Sequence, residues 1–372
     1  MAPARTGTGS ARYRVTDSGL TIGTAPPPPS PTQNLTNLFA VGSGVDGSPL
    51  VTVFNGANGS PRTSFIPFPP GFHNEVDPTS GGFTGGERVS VADVTGDGVP
   101  DYVVGTGPSI TAAVVIYDGV TKQEIFRYFP FEGFQGGVFV STGDINKDGI
   151  NDIAITPDEG GGPRVVVLSK VNGAFTRIAN FFGINDPGFR GGARSAIGDL
   201  NGDGFAELVV SAGFGGGPRI SVFDGAALAQ GREAHPIGDF FLFNPALRNG
   251  AYLAVGDVNG DGFADIIGGA GPGGGPQVFI ISGKTLLEQG PEIAVSNPIS
   301  NFFAGNPDNR GGIRVAAKNL DNDRKADVVT GAGDGGGSTV SVYLGASLTA
   351  GNLNPLYQFD AFPGYLGGVF VG

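Results

Sequence analysis

The chain has 372 residues, including 68 Gly and 28 Pro, and a formal net charge of −12. The absence of Cys excludes disulfides, thiolate nucleophiles and Cys-ligated zinc. The 28 Phe and short runs of Val, Ile and Leu argue against disorder. Gly lacks the three-residue period of collagen, and no apolar stretch approaches the ~18 residues of a membrane span. Composition therefore points to an all-β chain without a helical membrane span.

Residues 1–33 read as a disordered, Pro-rich leader or linker. Arg12 to Ile22 is strand-like, and Pro26-Pro-Pro-Pro-Ser-Pro31 is an extended polyproline spacer. No basic start followed by an apolar run marks a secretory signal, as expected of an excised domain or a replaced start.

From residue 34 the chain repeats. Five acidic nonapeptides begin at Asp93, Asp144, Asp199, Asp257 and Asn319, and a Gly stands seven residues before each: Gly86, Gly137, Gly192, Gly250 and Gly312. In the first unit Arg88 to Ala92, Tyr102 to Gly105, Ala112 to Tyr117 and Glu124 to Phe131 read as four strands joined by Gly-rich turns. Gly225 to Gly231, Gly283 to Gly290 and Gly345 to Gly351 read as single helical turns after the third strand. Four-stranded units repeated at this length predict a β-propeller.

The ends supply one more blade. Gly367 to Gly372 copies the start of a first strand at Gly136 to Ser141, and Phe39 to Gly56 aligns without a gap to Ile266 to Gly283. Phe65 to Phe72 is then the fourth strand. A shared blade joins the termini and removes an exposed edge, giving a six-bladed propeller over 34–372. A seventh blade would need residues 12–22, which match no first strand.

The nonapeptides predict metal sites. Their positions 1, 3, 5, 7 and 9 are Asp93, Thr95, Asp97, Val99 and Asp101 in the first, and Asp144, Asn146, Asp148, Ile150 and Asp152 in the second. The third offers Asp199, Asn201, Asp203, Phe205 and Glu207, and the fourth Asp257, Asn259, Asp261, Phe263 and Asp265. The fifth offers Asn319, Asp321, Asp323, Lys325 and Asp327. Alternate side chains converge on a hard cation where Gly at position 6 lets the backbone curl, and residue 7 contributes its carbonyl oxygen. All-oxygen donors select calcium over zinc or copper. An EF-hand would need Glu at position 12 and flanking helices. Fifteen of the 34 acidic residues lie in these loops, and without them the net charge would be +3. Four to five Ca²⁺ per chain are expected. Thr95 weakens the first site, and Asn319 with Arg324 perturbs the fifth.

This repeat resembles the FG-GAP/VCBS family, the calcium-binding propeller repeats of integrin α-chain heads and many bacterial extracellular proteins. The segments 269–272, 134–137 and 189–192 resemble that family's glycine cage. The resemblance implies calcium stabilisation and an extracellular or cell-surface interaction role, while six blades depart from the seven of integrins. Arg164, Arg190, Arg219, Arg248 and Arg310 fall at turns opposite the acidic loops, where a mildly basic face would suit an anionic partner. Two residues after each blade's entry Gly the ring reads Phe370, Arg88, Phe139, Arg194, Tyr252, Arg314, an alternation that permits stacking near the axis.

Three functions remain open. A non-enzymatic adhesion scaffold for an extracellular protein or glycan, monomeric and without a nucleic-acid partner, explains the loops and the closed ring. A calcium-dependent lectin is disfavoured by the lack of Trp, although eight Tyr remain. A polysaccharide lyase or hydrolase would need carboxylates that are already assigned to metal. The only two histidines, His73 and His235, are far apart in sequence.

Overall fold

A computed structural model describes residues 36–69 and 83–372. Residues 1–33, read from sequence as a leader or linker with a strand-like piece at 12–22, and His73 lie outside the described residues.

Among the described residues there are six four-stranded antiparallel sheets, the blades of a propeller. Blade II contains Glu87–Ala92, Asp101–Thr106, Val114–Tyr117 and Glu124–Tyr128, and blade III contains Val138–Gly143, Asp152–Pro157, Arg164–Val171 and Ala174–Phe182. Blade IV runs Ala193–Gly198, Glu207–Ala212, Arg219–Phe223 and Phe240–Phe241. Blade V runs Ala251–Gly256, Asp265–Ala270, Gln277–Ile281 and Ser300–Phe303. Blade VI runs Ile313–Lys318, Asp327–Ala332, Thr339–Tyr343 and Tyr357–Asp360. Blade I joins Leu38–Ser43, Val51–Asn55 and Pro61–Phe65 to the C-terminal Val369–Val371, which forms its inner strand.

That closure follows from the copied sequence. Val371, Phe370 and Val369 pair with Val41, Gly42 and Ser43, and Ala40 and Gly372 exchange main-chain bonds of 2.8 and 3.1 Å. The fourth strand of blade I corrects the expectation of Phe65 to Phe72. It lies upstream, at Pro61–Phe65, where a mostly polar edge strand hides its signal. The fourth strand of blade II likewise ends at Tyr128, before Pro130.

The inner and second strands are built from β-branched and small residues because both sheet faces are covered. Apolar layers fill the space between blades: Val209, Val222, Val255, Ile266 and Leu286 pack in one cluster between blades IV and V. Each such side chain contributes about 1.5–3 kcal/mol on burial. The entry glycines have a steric cause. Gly192 has φ 71° and Gly312 φ 73°, and a Cβ on either would stand 2.3–2.4 Å from the carbonyl oxygen of Pro157 or Ala270 in the preceding blade.

The predicted helical turns are present as α1 (Gly225–Leu228), α2 (Gly283–Gln289) and α4 (Gly345–Thr349), with an additional α3 (Pro291–Ser296). The first residues of α2 and α4 donate to loop carboxylates, Gly283 N to Asp265 Oδ1 at 3.2 Å and Gly345 N to Asp327 Oδ1 at 2.9 Å. The helical turns and the acidic loops therefore share one face.

Candidate metal centres

Each acidic nonapeptide links the inner strand of its blade to the second strand, in blades II to VI. In blades II to V its curl is set by the first carboxylate. Asp93 accepts from Gly96 N at 2.6 Å and Gly98 N at 2.7 Å. Asp199 accepts from Gly202 N at 2.7 Å and Gly204 N at 2.9 Å, and Asp257 accepts from Gly260 N at 2.6 Å and Gly262 N at 2.8 Å. Gly98, Gly149, Gly204 and Gly262 at position 6 all have φ between 82° and 90°.

Positions 3 and 5 each accept from the backbone two residues on. Asn146, Asn201 and Asn259 accept from the N–H of Asp148, Asp203 and Asp261 at 2.8–2.9 Å. Asp97, Asp148, Asp203 and Asp261 accept from Val99, Ile150, Phe205 and Phe263 N at 2.8–3.0 Å. Thr95 differs, its hydroxyl lying 3.4 Å from Asp93 Oδ1.

The ninth residue is the buried anchor. Asp101, Asp152, Glu207, Asp265 and Asp327 accept from Val94, Ile145, Leu200, Val258 and Leu320 N at 2.7–3.0 Å. Burial, reinforced by the neighbouring carboxylates, pushes Asp152 up to about 7, Glu207 to about 8 and Asp327 to about 6. Asp265 is raised well above its ordinary range for the same reasons, and Asp101 is raised chiefly by burial. Desolvation also raises Asp144, Asp199 and Asp257 at position 1.

Among the described residues no three Asp, Glu or His side chains are already arranged to hold a metal ion. In blades II to V the oxygens are turned onto the loop's own N–H groups. The loop of blade VI departs further. Arg324 at position 6 has no left-handed backbone, Asn319 Nδ2 donates to Asp323 O at 2.7 Å, and Asn319 Oδ1 is buried without a hydrogen-bond partner among the described residues.

The loops are also tied to one another, which the sequence did not announce. In blades III to VI the eighth residue of the loop donates to the first carbonyl of the preceding loop. The pairs are Asn151 N to Asp93 O at 3.1 Å, Ala206 N to Asp144 O at 2.9 Å, Ala264 N to Asp199 O at 2.8 Å and Ala326 N to Asp257 O at 2.6 Å. Lys147 adds a side-chain link, its Nζ 2.5 Å from Asp203 O and 5.2 Å from the Phe205 ring centroid.

Toward the other end of the channel, the alternating ring forms as its sequence suggested. Arg88, Arg194 and Arg314 each lie over two aromatic rings, at 4.1–5.4 Å from the centroids of Phe139, Tyr252 and Phe370. The three rings are 5.9–6.4 Å apart and close the axis. Arg88 pairs with Asp158 at 2.6 Å and Arg314 with Asp334 at 2.9 Å.

The outer arginines are more engaged than a free basic face requires. Arg219 pairs with Asp239, Arg164 Nε donates to Asn180 at 2.5 Å, and Arg190, Arg248 and Arg310 donate Nη1 to carbonyls of their own loops at 2.6–3.0 Å. Two buried ionisable groups escaped the sequence reading. Glu87 stands where other blades have Val138, Ala193, Ala251, Ile313 or Val369, and Lys318 where they have Gly or Ala; the breaks in the repeat were the available signal.

Fold and loops together define a six-bladed β-propeller with acidic turns along one face. A family profile described as an FG-GAP-like repeat matches residues 131–210, and one described as an FG-GAP repeat matches residues 249–280. The two matched segments carry FG-GAP repeats, and the chain is similar in sequence to integrin α chains. It is 27% identical over 251 residues to integrin alpha-V of Gallus gallus, covering 60% of this chain and 23% of the relative. It is 27% identical over 214 residues to integrin alpha-PS5 of Drosophila melanogaster, covering 52% and 20%. The chain thus spans about a fifth of the length of these curated relatives. Among solved structures, the exotype rhamnogalacturonan lyase YesX aligns with a TM-score of 0.44 at 14% identity, over 87% of this chain and 62% of that one. A functionally unknown protein from Desulfotomaculum acetoxidans aligns with a TM-score of 0.44 at 12% identity, over 88% and 83%.

Proposed function

We propose that residues 34–372 form a calcium-stabilised, non-enzymatic interaction module, extracellular or at a cell surface, with residues 1–33 as a Pro-rich leader or linker. The observation that carries the calcium reading is the loop chemistry. Burial, reinforced by the carboxylates at positions 1 and 5, raises the affinity of Asp152 and Glu207 at position 9 for protons, and a hard cation would offset both the burial and the repulsion without disturbing the strands. The donor sets would be Asp144, Asn146, Asp148, Asp152 and the Ile150 carbonyl in blade III, with the corresponding residues in blades IV and V. Asp93, Asp97, Asp101 and the Val99 carbonyl would serve blade II. In blade VI the orphaned Asn319 Oδ1, with Asp321, Asp323, Asp327 and the Lys325 carbonyl, is an oxygen set waiting for a donor or a cation. Calcium, when bound, supplies charge neutralisation; the protein supplies the backbone curl and the link from loop to loop.

The likeness to integrin α chains favours adhesion to an extracellular protein or glycan over catalysis. The test is binding of immobilised protein to matrix proteins and a glycan array, in calcium and after chelation, beside an assay for product release from acidic polysaccharides. Calcium-dependent capture without product supports the module. Turnover of a polysaccharide would overturn its non-enzymatic character.

A further inference from the structure

We infer that the propeller channel holds one small monovalent anion of halide size beside Arg194. The ring of three arginines is matched by only two carboxylates. Asp334 answers Arg314 from the turn of its own blade, where blade IV has Phe214, 42% exposed. Asp158 answers Arg88 from the turn of the next blade, where blade V has Gly271, so neither arrangement supplies a carboxylate to Arg194. Arg194 is only 4% exposed, and its Nε and Nη1 have no hydrogen-bond partner among the described residues. A lysine in that position would shed its proton, but a guanidinium cannot. The rings of Phe139 and Tyr252 beneath it are uncharged; a buried charge without a counter-charge is costly, and neutral water does not cancel it.

The place for the missing charge is adjacent. A cavity of about 60 Å³ is lined by Arg88, Arg194, Arg314, Phe139, Tyr252 and Phe370. Its floor of Val89, Val140 and Ser195 is shared with a second cavity of about 130 Å³ that extends to Asp144, Asp199 and Lys318 at the acidic-loop end. A volume of that size takes one halide ion or about two waters, a water's share being ~30 Å³. One negative charge balances the three guanidiniums and two carboxylates. Nearby Glu87 does not supply it, because its carboxyl is directed to Ser43 on the blade I side.

The test compares thermal unfolding in sodium chloride and in sodium gluconate at equal ionic strength, with calcium constant so that metal effects drop out. A gain of roughly 2–4 °C in chloride is expected, with an anomalous peak beside Arg194 in bromide-soaked crystals. Arg194→Met, which keeps the stem over the rings, should lose the chloride gain. Phe214→Asp should also lose it while raising the melting temperature in gluconate, and it decides the matter if Arg194→Met fails to fold. Equal melting temperatures in the two salts for the unaltered protein would overturn the inference. So would a chloride gain that survives in either variant, or a bromide-soaked crystal without a peak in this cavity.

Discussion

Glu87→Gln should flatten part of the pH dependence of stability. Glu87 is fully buried at the junction of blades I and II, where Ser43 Oγ donates to its Oε2 at 3.2 Å and its Oε1 has no partner among the described residues. Desolvation, only partly offset by Ser43 and Arg88, pushes its carboxyl from 4.5 up to about 8. The native state therefore holds a proton between about pH 4.5 and 8 that the unfolded chain has released. Stability falls as pH rises through that window, is unaffected by this group below it, and stays reduced above it. At 1.36 kcal/mol per pH unit the ceiling is about 5 kcal/mol, and relaxation of the site lowers it to about 2–3 kcal/mol. Glutamine mimics the neutral acid. Urea unfolding of both proteins at pH 5 and 8.5, with calcium and chloride constant, should give near-equal stabilities at pH 5 and a clear advantage for Glu87→Gln at pH 8.5. Subtracting one protein from the other removes the titration of the loop carboxylates. A difference that does not change with pH would refute the reasoning.

Three further outcomes follow from the same structure. Asp265→Asn should cost about 1–3 kcal/mol, because Asp265 Oδ2 accepts from Val258 and Asn259 N–H and Oδ1 from Gly283 N–H, and an amide offers only one acceptor oxygen; in calorimetry the loss should be larger in calcium than after chelation. Deleting residues 367–372 removes buried Val369, Phe370 and Val371 from blade I, a loss on the order of 5 kcal/mol, and proteolysis should show an open or unfolded chain. Combining Asn319→Asp with Arg324→Gly restores the repeat's pattern in blade VI and should raise calcium stoichiometry by equilibrium dialysis, without loss of melting temperature in calcium.

The repeat made the propeller legible because each blade must satisfy the same packing at the same distance from the axis. Gly86, Gly137, Gly192, Gly250 and Gly312 mark where each blade begins, and the copied C-terminal Gly-Gly-Val-Phe-Val gives the count of six. The acidic nonapeptides were readable for a local reason: nearly all their hydrogen bonds close within one turn. Features that depend on neighbours across blades were not. The Arg88–Asp158 pair joins blades II and III, and the bond from Ala264 N to Asp199 O joins two loops. Pro61–Phe65 and Phe240–Phe241 were obscured because outer edge strands bury little and so lack an alternating apolar pattern.

Calcium-linked folding is tested most directly by elemental analysis of the purified chain, paired with melting in millimolar Ca²⁺ and after EDTA. Four to five calcium ions per chain and a fall of many degrees on chelation are expected. Metal-free protein whose melting temperature is indifferent to calcium would show that the acidic loops are turns held by their own backbone, and the calcium reading would be contradicted.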